Sequence, residues 1–258
     1  DGPAGTISSR PVIGGYWFTR QCRSTSYQSD HDQLGNGSTG IHIYNYTKLS
    51  AETEQLSNAG EFGISVNPAI TGASSFARGP FVVFESDADI LANGSSGFEI
   101  FRHRIFTFEE KQYTYQAAGE SRNPTVSDGG GFIAFESTSE LLDPHKPVRN
   151  DLVGPFNADG NSEIYLTKGR KRIWQLTRSS GCENTQPSIM ENGDTVAFVS
   201  TCDLVPGNNP SGVPQLFVYE EVNPDEPLYT AAGCQQSQGC CNESNGCYEQ
   251  ILGRQIRP

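Results

Sequence analysis

Two pairs of carboxylates open the chemical reading of this chain. Asp30 with Asp32, and Asp87 with Asp89, each stand two residues apart just ahead of a loop rich in glycine and small polar residues, Leu34 to Gly40 and Leu91 to Gly97. Hard cations take clusters of carboxylate and carbonyl oxygen, so calcium is the metal this pattern would suit. The spacing lacks the full twelve-residue calcium loop and its terminal glutamate, and no other cofactor is expected. An acid recurs at the same place in two further segments, Glu140 and Asp203. The competing reading is that all of these acids cap turns by accepting from nearby backbone amides.

Catalytic machinery is poorly supported. There is no Gly-x-Ser-x-Gly elbow, no His-Glu-x-x-His and no Gly-rich phosphate loop. The four histidines, His31, His42, His103 and His145, are scattered, and no nucleophile, base and orienting group can be named together. The expectation is therefore a non-enzyme with no catalytic residue.

The seven cysteines point to disulfides in an oxidising compartment, because none of them has zinc or haem spacing. Cys182 precedes a β-rich run and Cys202 follows it, so these two form the first expected pair. Cys234 and Cys247 bracket a segment rich in Gln, Ser and Asn that has little to order it without a staple. Cys22 stands apart, and a bond from it to the tail would tie the chain ends together. Cys240 and Cys241 are adjacent, and the odd count leaves one thiol free or bonded to another chain.

These residues are set in a fourfold repeat. Tyr27-Gln28-Ser29, Phe84-Glu85-Ser86, Phe135-Glu136-Ser137 and Phe198-Val199-Ser200 each end a β-rich run, and Pro11, Pro68, Pro124 and Pro187 precede them. Such a period means stacked or radially arrayed supersecondary units. Each unit begins with a Pro-x-(Ile or Val) segment. The run with the aromatic follows, then a polar loop, then a further strand (Ile41 to Tyr46, Phe98 to His103, Glu163 to Thr167, Gln215 to Tyr219). Gln112 to Gln116, Arg172 to Thr177 and Pro227 to Thr230 occupy the slot of a last strand. In the first two units the proline stands farther ahead of the aromatic than in the last two, which predicts a longer first hairpin turn there. The fold class expected is all-β: a disulfide-stabilised β-propeller of four recognisable four-stranded blades. A β-sandwich or β-solenoid fits the period less well.

Asp159-Gly160-Asn161-Ser162-Glu163-Ile164-Tyr165, with Gln175-Leu176-Thr177 after it, resembles the repeat of TolB-type propellers. So do Pro124-Thr125-Val126-Ser127-Asp128-Gly129 with Ile133-Ala134-Phe135, and Pro187 to Gly193 with Val196-Ala197-Phe198. The resemblance implies the propeller architecture and constrains activity weakly, since the family includes transport scaffolds, peptidase gating domains and lyases.

The units run over about 8–64, 65–120, 121–183 and 184–233, giving repeats over 1–233 and a Cys-rich tail over 234–258 that packs on or closes the propeller. Four units could close alone, pair with another chain or belong to a longer ring. Net charge is −12 and the pI about 4.7, which gives no basic face for nucleic acid. No apolar run is long enough to span a membrane. A chain that starts at Asp1 reads as a processed secreted protein or a trimmed one. Four Asn-x-(Ser or Thr) sequons, at Asn36, Asn45, Asn93 and Asn242, are glycosylation acceptors or turn residues.

The function expected from these features is a non-catalytic scaffold, secreted, extracellular or periplasmic, that binds a protein or an extracellular polymer through its loops. A homo-oligomer is compatible with this. The alternatives are a structural subunit of an extracellular assembly and a polysaccharide-active lyase or hydrolase with an axial metal. Phe156 in the irregular insertion, Arg170 and Lys171 in the one basic cluster, and Tyr248 in the tail are the candidate partner contacts.

Overall fold

The computed structural model describes residues 6–16, 21–48, 50–58, 63–72, 80–105, 109–115, 118–141, 157–169, 173–221 and 254–257. The described residues form sixteen strands and no helix, so no helix is long and apolar enough to cross a membrane. Blade 1 is β1 (Ser8–Tyr16), β2 (Gln21–Ser29), β3 (His42–Thr47) and β4 (Glu52–Gln55). Blade 2 is β5 (Ser65–Ile70), β6 (Phe81–Ser86), β7 (Glu99–Arg104) and β8 (Glu109–Gln112). Blade 3 is β9 (Ser121–Val126), β10 (Phe132–Ser137), β11 (Glu163–Lys168) and β12 (Ile173–Gln175). Blade 4 is β13 (Asn184–Ile189), β14 (Thr195–Ser200), β15 (Gln215–Glu221) and β16 (Arg254–Arg257). Each is an antiparallel sheet in sequence order. First strands of successive blades lie against one another, and among the described residues no strand pair joins blade 4 to blade 1 as these pairs do. Among the described residues the four-blade row is open and does not close as a ring of four.

The repeat signature has a structural cause. The aromatic of each second strand stacks on the aromatic opposite it: Tyr27 on Tyr44, Phe84 on Phe101, Phe135 on Tyr165 and Phe198 on Phe217, with centroids 5.8–6.0 Å apart. The serine two residues on turns the chain. The Oγ atoms of Ser29, Ser86, Ser137 and Ser200 accept the amides of His31, Ala88, Ser139 and Cys202 at 2.9–3.2 Å. Successive blades bury apolar layers between them. Ile43 and Leu56 of blade 1 meet Val82, Phe84 and Phe101 of blade 2, and Ile164 of blade 3 meets Val196, Phe198 and Phe217 of blade 4. Burial of these layers is the main driving force for the array.

Three details differ from expectation. The extra residues of the first unit lengthen β1 and β2 to nine residues each, whereas in the second unit they lie between Ile70 and Phe81. The outer strand of blade 2 is Glu109–Gln112 rather than Gln112 to Gln116. Its charged sequence carries no alternation to read. The outer strand of blade 4 is Arg254–Arg257, paired with Val218 to Glu221, so the last residues of the tail complete a blade. Pro227 to Thr230 lies outside the described residues.

Cys182 and Cys202 form a disulfide that ties the turn before β13 to the residues just after β14. Cys234, Cys240, Cys241 and Cys247, and the side chain of Cys22, lie outside the described residues.

Candidate functional site

The four candidate calcium carboxylates, Asp30, Asp32, Asp87 and Asp89, each accept backbone amides. Asp30 Oδ1 accepts the Ile7 amide and Asp87 Oδ1 the Ile64 amide, both at 2.6 Å. Asp32 accepts the amides of Leu34, Asn36 and Gly37, and Asp89 those of Asn93 and Gly94. Asp203 does the same for Gly207 and Asn209. Amide donation holds the Asp89 and Asp203 carboxyls below the usual range. At Asp32 the residual desolvation raises the pKa, but the amides of the loop outweigh it and the net shift is also downward. Among the described residues no group of three or more His, Cys, Asp or Glu is placed to hold a metal ion. Asn36 and Asn93 donate to Gln55 and Gln112 at equivalent places. Asn45 is buried against Ser26 and Thr47. Phe156, Arg170, Lys171 and Tyr248 lie outside the described residues.

The structure brings together a different set. Each first strand carries a bulge just before its proline, seen as a register shift between Ser9 and Val12, Val66 and Ala69, and Thr185 and Ser188, and opposite Ala134 and Glu136 in blade 3. The residue before the proline is left-handed in every blade: Arg10 (φ 50°), Asn67 (54°), Asn123 (49°) and Gln186 (55°). This conformation costs about 1–3 kcal/mol per residue. Proline itself suits a bulge because it has no amide to lose from the ladder.

The strained residue turns its own amide toward the preceding blade, where the residue after the aromatic accepts it. Gln28 Oε1 takes the Asn67 amide at 2.9 Å, Glu85 Oε2 the Asn123 amide at 2.5 Å, and Glu136 Oε2 the Gln186 amide at 2.7 Å. Glu85 also accepts Asn67 Nδ2 at 2.8 Å and Arg122 Nη1 at 3.3 Å. Glu136 accepts Asn123 Nδ2 at 2.8 Å. Asn67 Nδ2 donates on to Asn123 Oδ1. A run of polar clasps therefore joins blades 1 to 2, 2 to 3 and 3 to 4. Burial pushes the Glu85 carboxyl up, against the opposing pull of the Asn123 amide and Arg122.

A second carboxylate, Glu163, is buried between blades 3 and 4. It accepts from Thr177, Ser179, Asn161 and Asn184. Burial raises its pKa, but its oxygens are fully committed to structural donors.

The clasp run stops at both ends. Cross-strand registry makes Gln28/Ile43, Glu85/Ile100, Glu136/Ile164 and Val199/Leu216 equivalent pairs facing the next blade. Ile43, Ile100 and Ile164 are all 0% exposed, whereas Leu216 is 62% exposed. At the other end Ile13, the counterpart of Ile70, Val126 and Ile189, is also 62% exposed. These two blade faces are the candidate site. Sequence reasoning missed it, although the glutamine or glutamate after the aromatic in the first three units, and its replacement by Val199 in the fourth, was legible in the repeat.

No family model and no curated protein matches this chain. Several solved structures share its arrangement of blades. TolB from Acinetobacter baumannii is 14% identical with a TM-score of 0.46, over 82% of this chain and 40% of that one. The putative TolB from Agrobacterium tumefaciens is 16% identical with a TM-score of 0.47, over 77% and 58%. The Pyrococcus horikoshii acylaminoacyl peptidase is 12% identical with a TM-score of 0.45, over 83% and 30%. The chain thus spans less than two thirds of the length of these structures. Prolyl endopeptidases and an oligogalacturonate lyase in complex with manganese share the arrangement too. That range corrects the expectation of a non-catalytic, loop-presenting scaffold: peptidases and a lyase stand beside TolB, so the blade array does not argue against catalysis.

Proposed function

We propose that this chain is a segment of a larger propeller, completed by a further β-rich protein that docks on the open faces of blades 1 and 4. The observation that carries the reading is the contrast between equivalent positions, with Ile43, Ile100 and Ile164 sealed and Leu216 and Ile13 bare. Exposed apolar residues on a sheet face that is elsewhere used for packing mark an interaction surface. The Cys182–Cys202 disulfide supports an oxidising compartment, extracellular or periplasmic, as the place of action. The acidic balance supports a protein rather than a nucleic acid as partner.

The test is cross-linking of the tagged full chain in its native cells, with the products separated by mass. Ile13→Asp and Leu216→Asp are expected to remove the cross-linked product, while Asn36→Ala and Asn93→Ala in the loops leave it. A product that survives both end-face substitutions and is lost with the loop substitutions overturns the reading.

A further inference from the structure

We infer that the face of blade 1 fits a partner blade whose second strand presents a carboxylate or carboxamide one residue after its aromatic, and that blade 4 of a second copy is built not to supply it. The inference rests on the end-face reading above and adds the chemistry of the partner.

The three internal interfaces give the template. In each, the left-handed residue before the proline turns its amide outward, and the acceptor is the side chain following the aromatic of the preceding blade: Gln28, Glu85 or Glu136. Arg10 has the same conformation at the same bulge. Among the described residues no clasp joins its amide to another blade, and its side chain is exposed. An outward amide with a guanidinium on the same residue is a donor site that a carboxylate complements.

Blade 4 departs from the template at two places, both on the face it would turn to a following blade. Val199 stands where the clasp acceptor belongs. Thr195, like Ser24 in blade 1, stands where Phe81 and Phe132 begin the second strand in blades 2 and 3. Those two rings seat the turn glycines of the next blades: a Cβ on Gly130 would come within 2.4 Å of Phe81, and one on Gly193 within 2.2 Å of Phe132. A second copy docked in the same register would set Val199 against the Arg10 amide and leave that donor without an acceptor, a loss that disfavours the contact. The face of blade 1 departs differently. Thr25 replaces Val82, Ile133 and Val196, and Tyr27 replaces phenylalanine, so the partner meets hydroxyls beside Ile13. The occupant that continues the established interfaces is therefore a sheet that carries the acceptor this chain reserves for its inner joints.

The experiment gives this chain the missing acceptor and uses it as its own partner. Full-length Val199→Glu, Val199→Gln and Thr195→Phe/Val199→Glu are compared with the unsubstituted chain and with Val199→Leu by light scattering across a concentration series. Hydrogen exchange at Arg10 is followed in parallel. The unsubstituted chain and Val199→Leu are expected to stay single. The glutamate or glutamine variants are expected to associate head to tail at least roughly tenfold more tightly, as one charge-assisted hydrogen bond allows. The Arg10 amide should be protected only in the associated form, and Ile13→Asp should abolish association. Glutamine keeps the test open if glutamate impairs folding, because Gln28 already serves the joint between blades 1 and 2. Association of the unsubstituted chain, equal association of Val199→Leu, or folded acceptor variants that remain single each overturn the inference. Those failures concern the chemistry of the joint. Failure of the cross-linking test concerns whether the end faces are used at all.

Discussion

Replacing Glu85 isolates the clasp from the apolar packing around it. Its two oxygens accept the Asn123 amide, Asn67 Nδ2 and Arg122 Nη1 at 2.5, 2.8 and 3.3 Å, and the residue is buried. Glu85→Ala leaves the Asn123 amide without an acceptor between two blades, which costs about 1–3 kcal/mol. Asn67 keeps Asn123 Oδ1 at 3.1 Å as a fallback, so its share is small. Arg122 is partly exposed, binds Glu120 through Nε and Nη2, and stacks on Phe98. Losing its Glu85 contact therefore adds less than about 1 kcal/mol. Relief from burying the charge offsets part of the total. The expected net loss is about 2–3 kcal/mol.

Glu85→Gln keeps one acceptor for Asn123, as Gln28 does for Asn67, and buries no charge. Its cost should stay within about 1 kcal/mol at neutral pH. The pH dependence has a definite sign. Burial raises the folded-state pKa of Glu85, so the folded chain holds that proton more tightly than the unfolded chain. The corresponding stabilisation is complete below the unfolded pKa and is lost as pH rises through the raised one. Glutamine should therefore compare more favourably with glutamate at pH 7 than at pH 4. Urea unfolding at several pH values, followed by tryptophan fluorescence, measures all three chains. Equal losses for alanine and glutamine, or a loss below about 0.5 kcal/mol for alanine, would refute the clasp as an energetic element.

Three further outcomes follow from named contacts. Burial alone would lower the pKa of His103, but Glu110 at 2.7 Å and Glu54 of the neighbouring blade at 3.7 Å hold it up at about 9. Its stabilisation is present below 6.5 and fades as pH rises through about 9. The melting temperature of the unsubstituted chain should thus fall relative to His103→Gln between those values, and parallel curves would refute the pairing. Replacing Cys182 and Cys202 together by serine opens a link with a sequence separation of 20 and should cost about 3 kcal/mol in urea unfolding. Gly193→Ala should cost about 1–3 kcal/mol more than Gly207→Ala. Both glycines have positive φ, but only at Gly193 would the new methyl strike Phe132.

Blade architecture was legible because each second strand repeats one local solution: β-branched residues, an aromatic, then a serine that turns the chain. The Cys182–Cys202 pair was legible for the same reason, since a repeat fixes which points of a hairpin lie close. Outer strands were harder. Glu109-Glu110-Lys111-Gln112 offers no apolar alternation, and apolar Tyr113 and Tyr115 drew the expected strand past its true end. The acids of the loops were read as either cation ligands or caps, and the structure gives Asp30, Asp32, Asp87 and Asp89 backbone amides to accept. The clasp could not be read from local preference at all. A residue before proline ordinarily avoids helical backbone, yet four of them take the left-handed form. The hint was the recurrent side-chain amide at that place, Asn67, Asn123 and Gln186, because asparagine tolerates positive φ better than most residues.

The outer faces of the end blades depart from the internal joints at positions that matter for docking. Blade 1 keeps Gln28, Ile43 and Leu56 on the side toward blade 2, where Ser24 and Ser26 stand in place of Phe81 and Val83, and departs at Thr25 and Tyr27 on the other. Blade 4 keeps Ile189, Gly193, Val196 and Phe198 toward blade 3, and departs at Thr195 and Val199 on the other. Adaptation to bulk water alone would have replaced Ile13 and Leu216, which remain apolar at 62% exposure. A blade 4 face that lacks the clasp acceptor, and two end faces that keep a branched aliphatic side chain exposed, are suited to a neighbour different from any blade of this chain.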